Sequence, residues 1–194
     1  MNTEWLVNRI RYDINNSFAL VDTWFDESNC VLNFQPASTG WTNFQILEHV
    51  MITNLYLLKL IKRGTAKAVK KALIAQPVVD WNTYSLNRKE LTDIGEHRSF
   101  KWNRPEHMAP QNNISLSDIR TRIKEQRNEC LEYLSKLKNG EGFLHKTTMT
   151  VNNLGKLDVY EYIEFLTLHM CRHMTQMERN KREFLSWKMN MYAA

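Results

Sequence analysis

A chain of 194 residues is long enough for one domain with a sizeable core and leaves little room for a second, so a single domain over residues 1–194 is the working expectation. Hydrophobic residues at 43% and charged residues at 24%, with only six glycines and four prolines, exclude a disordered or β-rich chain and favour long helices. The net charge of +5 is concentrated in "KRGTAKAVKK", where Lys62, Arg63, Lys67, Lys70 and Lys71 read as a solvated helix end; with no stacking module or recognition motif beside them, nucleic acid is not an expected partner.

No apolar run approaches the 18 or more residues that a membrane span needs, and the N-terminal "MNTEWLVNRIRYD" carries charge where a signal peptide needs an apolar core. A cytoplasmic protein without a membrane partner is expected. Cys30, Cys130 and Cys171 stand far apart with no CxxC pair, which excludes a disulfide framework or a zinc knuckle and leaves them as reduced thiols.

In chain order, residues 3–28 place Leu6, Ile10, Ile14, Phe18, Val21 and Phe25 three or four apart, which predicts a helix with one apolar face and Thr3 as its N-cap. A loop, "NCVLNFQPASTG", follows. Trp41 then leads into a second helix on which Phe44, Leu47, Val50 or Met51, Leu55, Leu58 and Ile61 are in register, with Gly64 either ending it or softening it. Residues 76–113 hold three prolines and form an irregular excursion, with "NRKELTDIG" as one short helical piece.

Residues 115–140 predict a third helix, capped by "SLSD" or "SDIR", striped by Ile119, Ile123, Cys130, Leu134 and Leu137, and ended by Asn139-Gly140. "FLHKTTMTVNNLG" allows an extended piece. The last helix runs from about Leu157 to about Trp187, with Tyr160, Ile163, Leu166, Met170, Met174 and Met177 near one side. Four long amphipathic helices predict an all-α, antiparallel four-helix bundle with a loop excursion between helices two and three.

On the last helix, "TLHMCRHMTQM" sets His169 and His173 about 40° apart on one face, one turn apart, a spacing that suits two ligands of one ion and equally two ordinary boundary residues. Cys171 between them points about 200° away from His169 and is assigned to packing. Met170 stands where an HExxH protease carries its glutamate, so that reading fails. His49, in "FQILEHVMITN", sits at the edge of the second helix's apolar stripe and is the candidate third ligand, against the plainer reading of a satisfied core histidine.

The tryptophan-led "WTNFQILEH" on the second helix, together with "H-x-x-x-H-x-x-Q" on the last, resembles the DinB/YfiT-like superfamily of metalloenzymes, from the first helix to about Lys181. The resemblance implies a four-helix bundle, often a homodimer, in which His49, His169 and His173 converge on a divalent ion such as nickel or zinc. It further implies metal-dependent hydrolysis, or activation of a low-molecular-weight thiol such as bacillithiol, mycothiol or glutathione for transfer to a small-molecule electrophile. Three neutral imidazoles leave a divalent ion with open positions for water or thiolate, which is the chemistry such reactions need. A non-catalytic metal-binding or regulatory bundle is the competing expectation.

Glu48 is expected to pair on the surface or along the second helix, and Gln176, one turn beyond His173, to donate to it from behind. His97, His107 and His145 lie in irregular segments and are left out of the site, although a loop bearing His107 is placed to cover it, with Trp102 or Met108 shaping a pocket. Met170, Met174 and Met177 are assigned to core filling.

Overall fold

The computed structural model describes residues 2–37, 40–100 and 105–193; Trp102 lies outside them. Four long helices, α1 (Thr3–Thr23), α3 (Asn43–Ala72), α5 (Leu116–Ser135) and α6 (Val159–Ala193), carry the mass of the chain, joined by the short helices α2 (Asn29–Asn33) and α4 (Lys89–Thr92). A hairpin of β1 (Lys146–Met149) and β2 (Gly155–Asp158) pairs antiparallel with Lys146 opposite Asp158 and leads into α6. The strongest helix contacts run α1–α5, α5–α3, α3–α6 and α6–α1, which closes a four-helix bundle and sets α3 directly against α6.

The apolar stripes meet at the centre. Leu6, Ile10, Ile14, Phe18 and Val21 of α1 face Ile119, Ile123 and Leu134 of α5 and Ile163 and Leu166 of α6, all buried, and each such side chain contributes about 1.5–3 kcal/mol by leaving water. The stripe of α3 departs from expectation at Leu55, which is 41% exposed; Asn54 takes the inward position and donates to Met170 Sδ at 3.4 Å. By length and hydropathy α3 resembles a membrane span, yet most of its apolar window is buried inside the bundle.

The ends also differ from the expected boundaries. Asn2, not Thr3, caps α1, its side chain accepting the Trp5 N–H, and α1 gives way after Thr23 to a 3₁₀ turn, Trp24–Asp26. The loop after it contains α2, capped by Ser28. Gly64 does not end α3: a Cβ there would come within 3.2 Å of Val159 Cγ2, so the glycine lets the start of α6 approach the helix, which continues to Ala72. Ser115 caps α5, which stops at Ser135, and the chain turns at Gly140 with φ +97°, a left-handed conformation natural to glycine. The extended piece expected near residue 146 is β1, and the residues assigned to the start of the last helix, Leu157 and Asp158, belong to β2.

Candidate metal centre

The site begins with how α3 starts. Thr42 and Gln45 form a capping box, the Thr42 hydroxyl accepting the Gln45 N–H at 3.2 Å and Gln45 Oε1 accepting the Thr42 N–H at 3.1 Å. His49 lies seven residues on from Thr42, about two turns, and its ring packs on Trp41 with centroids 4.7 Å apart. Opposite, Asn180 of α6 donates both to the Trp41 carbonyl at 2.9 Å and to Asn43 Oδ1 at 3.0 Å, which fixes the height of α6 against α3. His173, seven residues before Asn180, therefore faces His49.

The three histidines meet. Their rings stand 4.7 Å (His49–His173), 5.4 Å (His49–His169) and 4.5 Å (His169–His173) apart, and one nitrogen from each lies within 4.8 Å of the others. His169 Nε2 and His173 Nε2 are 3.1 Å apart, close to the roughly 3.3 Å edge of a tetrahedron with zinc–nitrogen bonds of about 2.0–2.1 Å. Exposures of 4%, 2% and 8% for His49, His169 and His173 place the cluster inside the bundle.

Hydrogen bonds behind the rings set their tautomers. His49 Nδ1 lies 2.6 Å from the Met108 carbonyl oxygen; a carbonyl only accepts, so Nδ1 carries the proton and Nε2 the lone pair. His173 Nδ1 donates in the same way to Gln176 Oε1 at 3.1 Å, so its Nε2 presents a lone pair toward His169. Burial, then the positive character of the neighbouring rings and of Arg172, holds the pKa of His169 well below its ordinary value; burial leads for His173 as well. Neutral imidazole is the form in which histidine ligates, and three imidazole nitrogens this close together suit a divalent cation.

Glu48 departs from expectation. Instead of pairing on a surface or along α3, its carboxylate is buried and accepts the backbone N–H groups of Gln111 and Asn112, each at 3.0 Å. Gln45 adds a bond to Asn112 Oδ1 at 3.2 Å. The segment 105–114 is thereby hung from α3 by Gln45 and Glu48, just before His49, and it reaches the cluster through the Met108 main chain. His107 is not in the cluster; its exposed ring packs on Tyr56 at 4.8 Å, beside a cavity of about 810 Å³ that Glu48 and Gln111 also line.

The remaining candidates fall apart from the cluster. Cys171 is half-buried on the side of α6 that faces α1, its thiol pushed up by burial and by Glu164 and Asp13. His145 sits against Gly64 and its Nε2 lies 3.3 Å from the Thr147 hydroxyl. Met170 and Met177 are buried and Met174 half-buried, as fillers of the core. Lys62, Arg63, Lys67, Lys70 and Lys71 are all exposed. Two residues escaped sequence reasoning altogether: Arg172, which donates to the Glu96 carbonyl and ties the 96–100 segment to α6, and Asn180, whose position seven residues beyond His173 was the one available signal.

Among known proteins, YuaE of Bacillus subtilis (strain 168), an uncharacterized protein, is 23% identical over 169 residues, covering 85% of this chain and 94% of its own. No solved structure matches the chain. The family profile described as DinB superfamily matches residues 16–177, a span that runs from α1 through all three histidines and the helices that present them, and the chain belongs to that superfamily.

Proposed function

We propose that His49, His169 and His173 hold a divalent metal ion, nickel or zinc, and that the protein is a metal-dependent enzyme acting on a small molecule as a thiol-dependent transferase or a hydrolase. The observation that carries this reading is the convergence of three buried imidazoles from two helices, with two Nε2 atoms 3.1 Å apart. A divalent cation would take the His173 Nε2 lone pair together with one nitrogen from each of its two neighbours. Such an ion lowers the pKa of bound water to about 7 or keeps a bound thiol ionised, which is the activation both reactions need.

The chain's own residues supply the rest. Met108 and Gln176 hold the His49 and His173 rings in the ligating tautomer, and Trp41 with segment 105–114 keeps bulk water away. Among the described residues the cluster offers three ligands, and closed structural sites ordinarily use four, which favours catalysis over a purely structural ion. We further propose a cytoplasmic homodimer.

Metal analysis of tag-free protein tests the assignment. About one nickel or zinc ion per chain is expected in the wild type, and little in His49→Ala and His173→Ala; unchanged metal content in both variants sinks it.

A further inference from the structure

Below His173, on the side of its Nδ1, lies a second cavity of about 320 Å³, lined by His97, Arg98, Gln176, Arg179, Arg182 and Glu183, among others. Three guanidinium groups thus face one carboxylate, and that carboxylate is already engaged, Glu183 Oε1 accepting the Ala37 N–H at 2.6 Å. Among the described residues none of Arg98, Arg179 and Arg182 forms a salt bridge. Three guanidinium groups against one carboxylate leave the cavity with an excess of positive charge, and their planar forks match carboxylate and phosphate oxygens two at a time.

The cavity is built rather than incidental. Arg172 reaches from α6 to the Glu96 carbonyl and lies 3.4 Å from Ser99 Oγ, and Ser99 Oγ in turn donates to the Asp93 and Glu96 carbonyls, so the turn carrying His97 and Arg98 is fastened from beneath. Arg98 is held at φ +69°, a left-handed conformation that L side chains adopt reluctantly and that recurs at binding sites. His97, which lines the cavity, has its Nδ1 buried with no hydrogen-bond partner among the described residues. Burial, and then the nearby charges of Arg179, Arg172 and Arg98, push the pKa of His97 down.

We propose that this cavity is an anion site that grips the carboxylate or phosphate group of a small molecule between Arg98, Arg179 and Arg182. It does not depend on a metal. Gln176 lines the cavity and also accepts the His173 proton, so a single side chain joins the anion site to the histidine cluster. Arg179 lies six residues beyond His173, about 9 Å along the helix axis, so a ligand that spans both places carries its charged group about that far from its reacting end.

The test uses metal-free full-length protein titrated at constant ionic strength with inorganic phosphate and, separately, with succinate, read by calorimetry and by the imidazole resonances of His97. One saturable site is expected, with the His97 signal moving as it fills. The double variant Arg179→Gln/Arg182→Gln is expected to weaken binding at least tenfold, while Lys67→Gln/Lys70→Gln, on the exposed basic stretch of α3, changes it less than twofold. Tighter phosphate binding assigns a phosphorylated ligand, and tighter succinate binding a carboxylate. Equal losses in the two double variants, or no saturable binding of either anion, overturn the proposal. Because no metal is present, its failure leaves the metal assignment standing, and loss of metal from His173→Ala leaves this one standing.

Discussion

Helix α6 carries two buried polar clusters, one at its start and one midway, and they are solved in opposite ways. At the start, Asp158 and Glu161 cap each other: the Asp158 N–H donates to Glu161 Oε2 and the Glu161 N–H to Asp158 Oδ1, both at 2.9 Å, while Arg88 closes on Glu161 Oε1 at 3.0 Å and on the Leu154 carbonyl. Donors and acceptors match within the chain. Midway, the Nε2 atoms of His169 and His173 face each other at 3.1 Å beside His49, and the Nδ1 atoms of His173 and His49 bond to Gln176 and to the Met108 carbonyl. A buried network complete in itself is architecture; one whose ring nitrogens converge on a common point offers a place for a cation.

Removing a ligand breaks the second cluster without touching the first. His169→Ala is expected to abolish the stabilisation that zinc confers, about 2.7 kcal/mol at a zinc concentration of 100 Kd, as measured by thermal unfolding with and without the ion. Asp158→Ala does the reverse: it costs about 2 kcal/mol, or about 4–8 °C in Tm for a chain of this size, with zinc stoichiometry unchanged. Loss of metal from this variant would mean that the two clusters are one cooperative unit.

Glu48 tests whether the cover over the histidines belongs to the site. Glu48→Ala frees the Gln111 and Asn112 amides, so their hydrogen exchange accelerates, and with Met108 no longer held behind His49 zinc affinity is expected to fall about tenfold. Unchanged affinity together with faster exchange would reduce the segment to a bystander.

Glu164, between the two clusters on α6, offers the smallest effect and sharpens the comparison. Burial, and then Asp13 opposite it on α1, push its carboxyl up to about 7 against the pull of Arg9, and its Oε2 has no hydrogen-bond partner among the described residues. A carboxyl whose folded pKa is raised binds more protons folded than unfolded. Its stabilising contribution is therefore full below the unfolded value of about 4.5 and is lost as pH rises through about 7. Between pH 5 and pH 7 the wild type is expected to lose on the order of 1 kcal/mol more than Glu164→Gln in denaturant titrations. Parallel pH profiles would show that Glu164 is ionised throughout.

Much of the bundle was legible before any coordinates. The stripes on α1 and α5 were read correctly because leucine, isoleucine and valine at three- and four-residue spacing have no other use in a chain with this composition. Leu55 was misread because a periodic pattern does not say where the neighbouring helix ends, and at that level of α3 the inward place belongs to Asn54. At the site, the removal of Cys171 followed from helix geometry alone. The role of Glu48 did not, since its partners are main-chain amides 63 and 64 residues away, and every residue type offers the same amide.

The sequence by itself determined the four amphipathic faces, the cap that starts α5 and the placing of His169 and His173 on one side of one helix, because these are local properties of angle and spacing. Only the tertiary structure decided that His49 meets them, at what height, and what stands behind each ring. A stripe sets rotation about a helix axis but leaves translation along it open, and here translation is set by Asn180 bonding to Asn43 and Trp41 across the interface between α3 and α6. The Met108 carbonyl that orients His49 is backbone, and backbone carries no mark in a sequence.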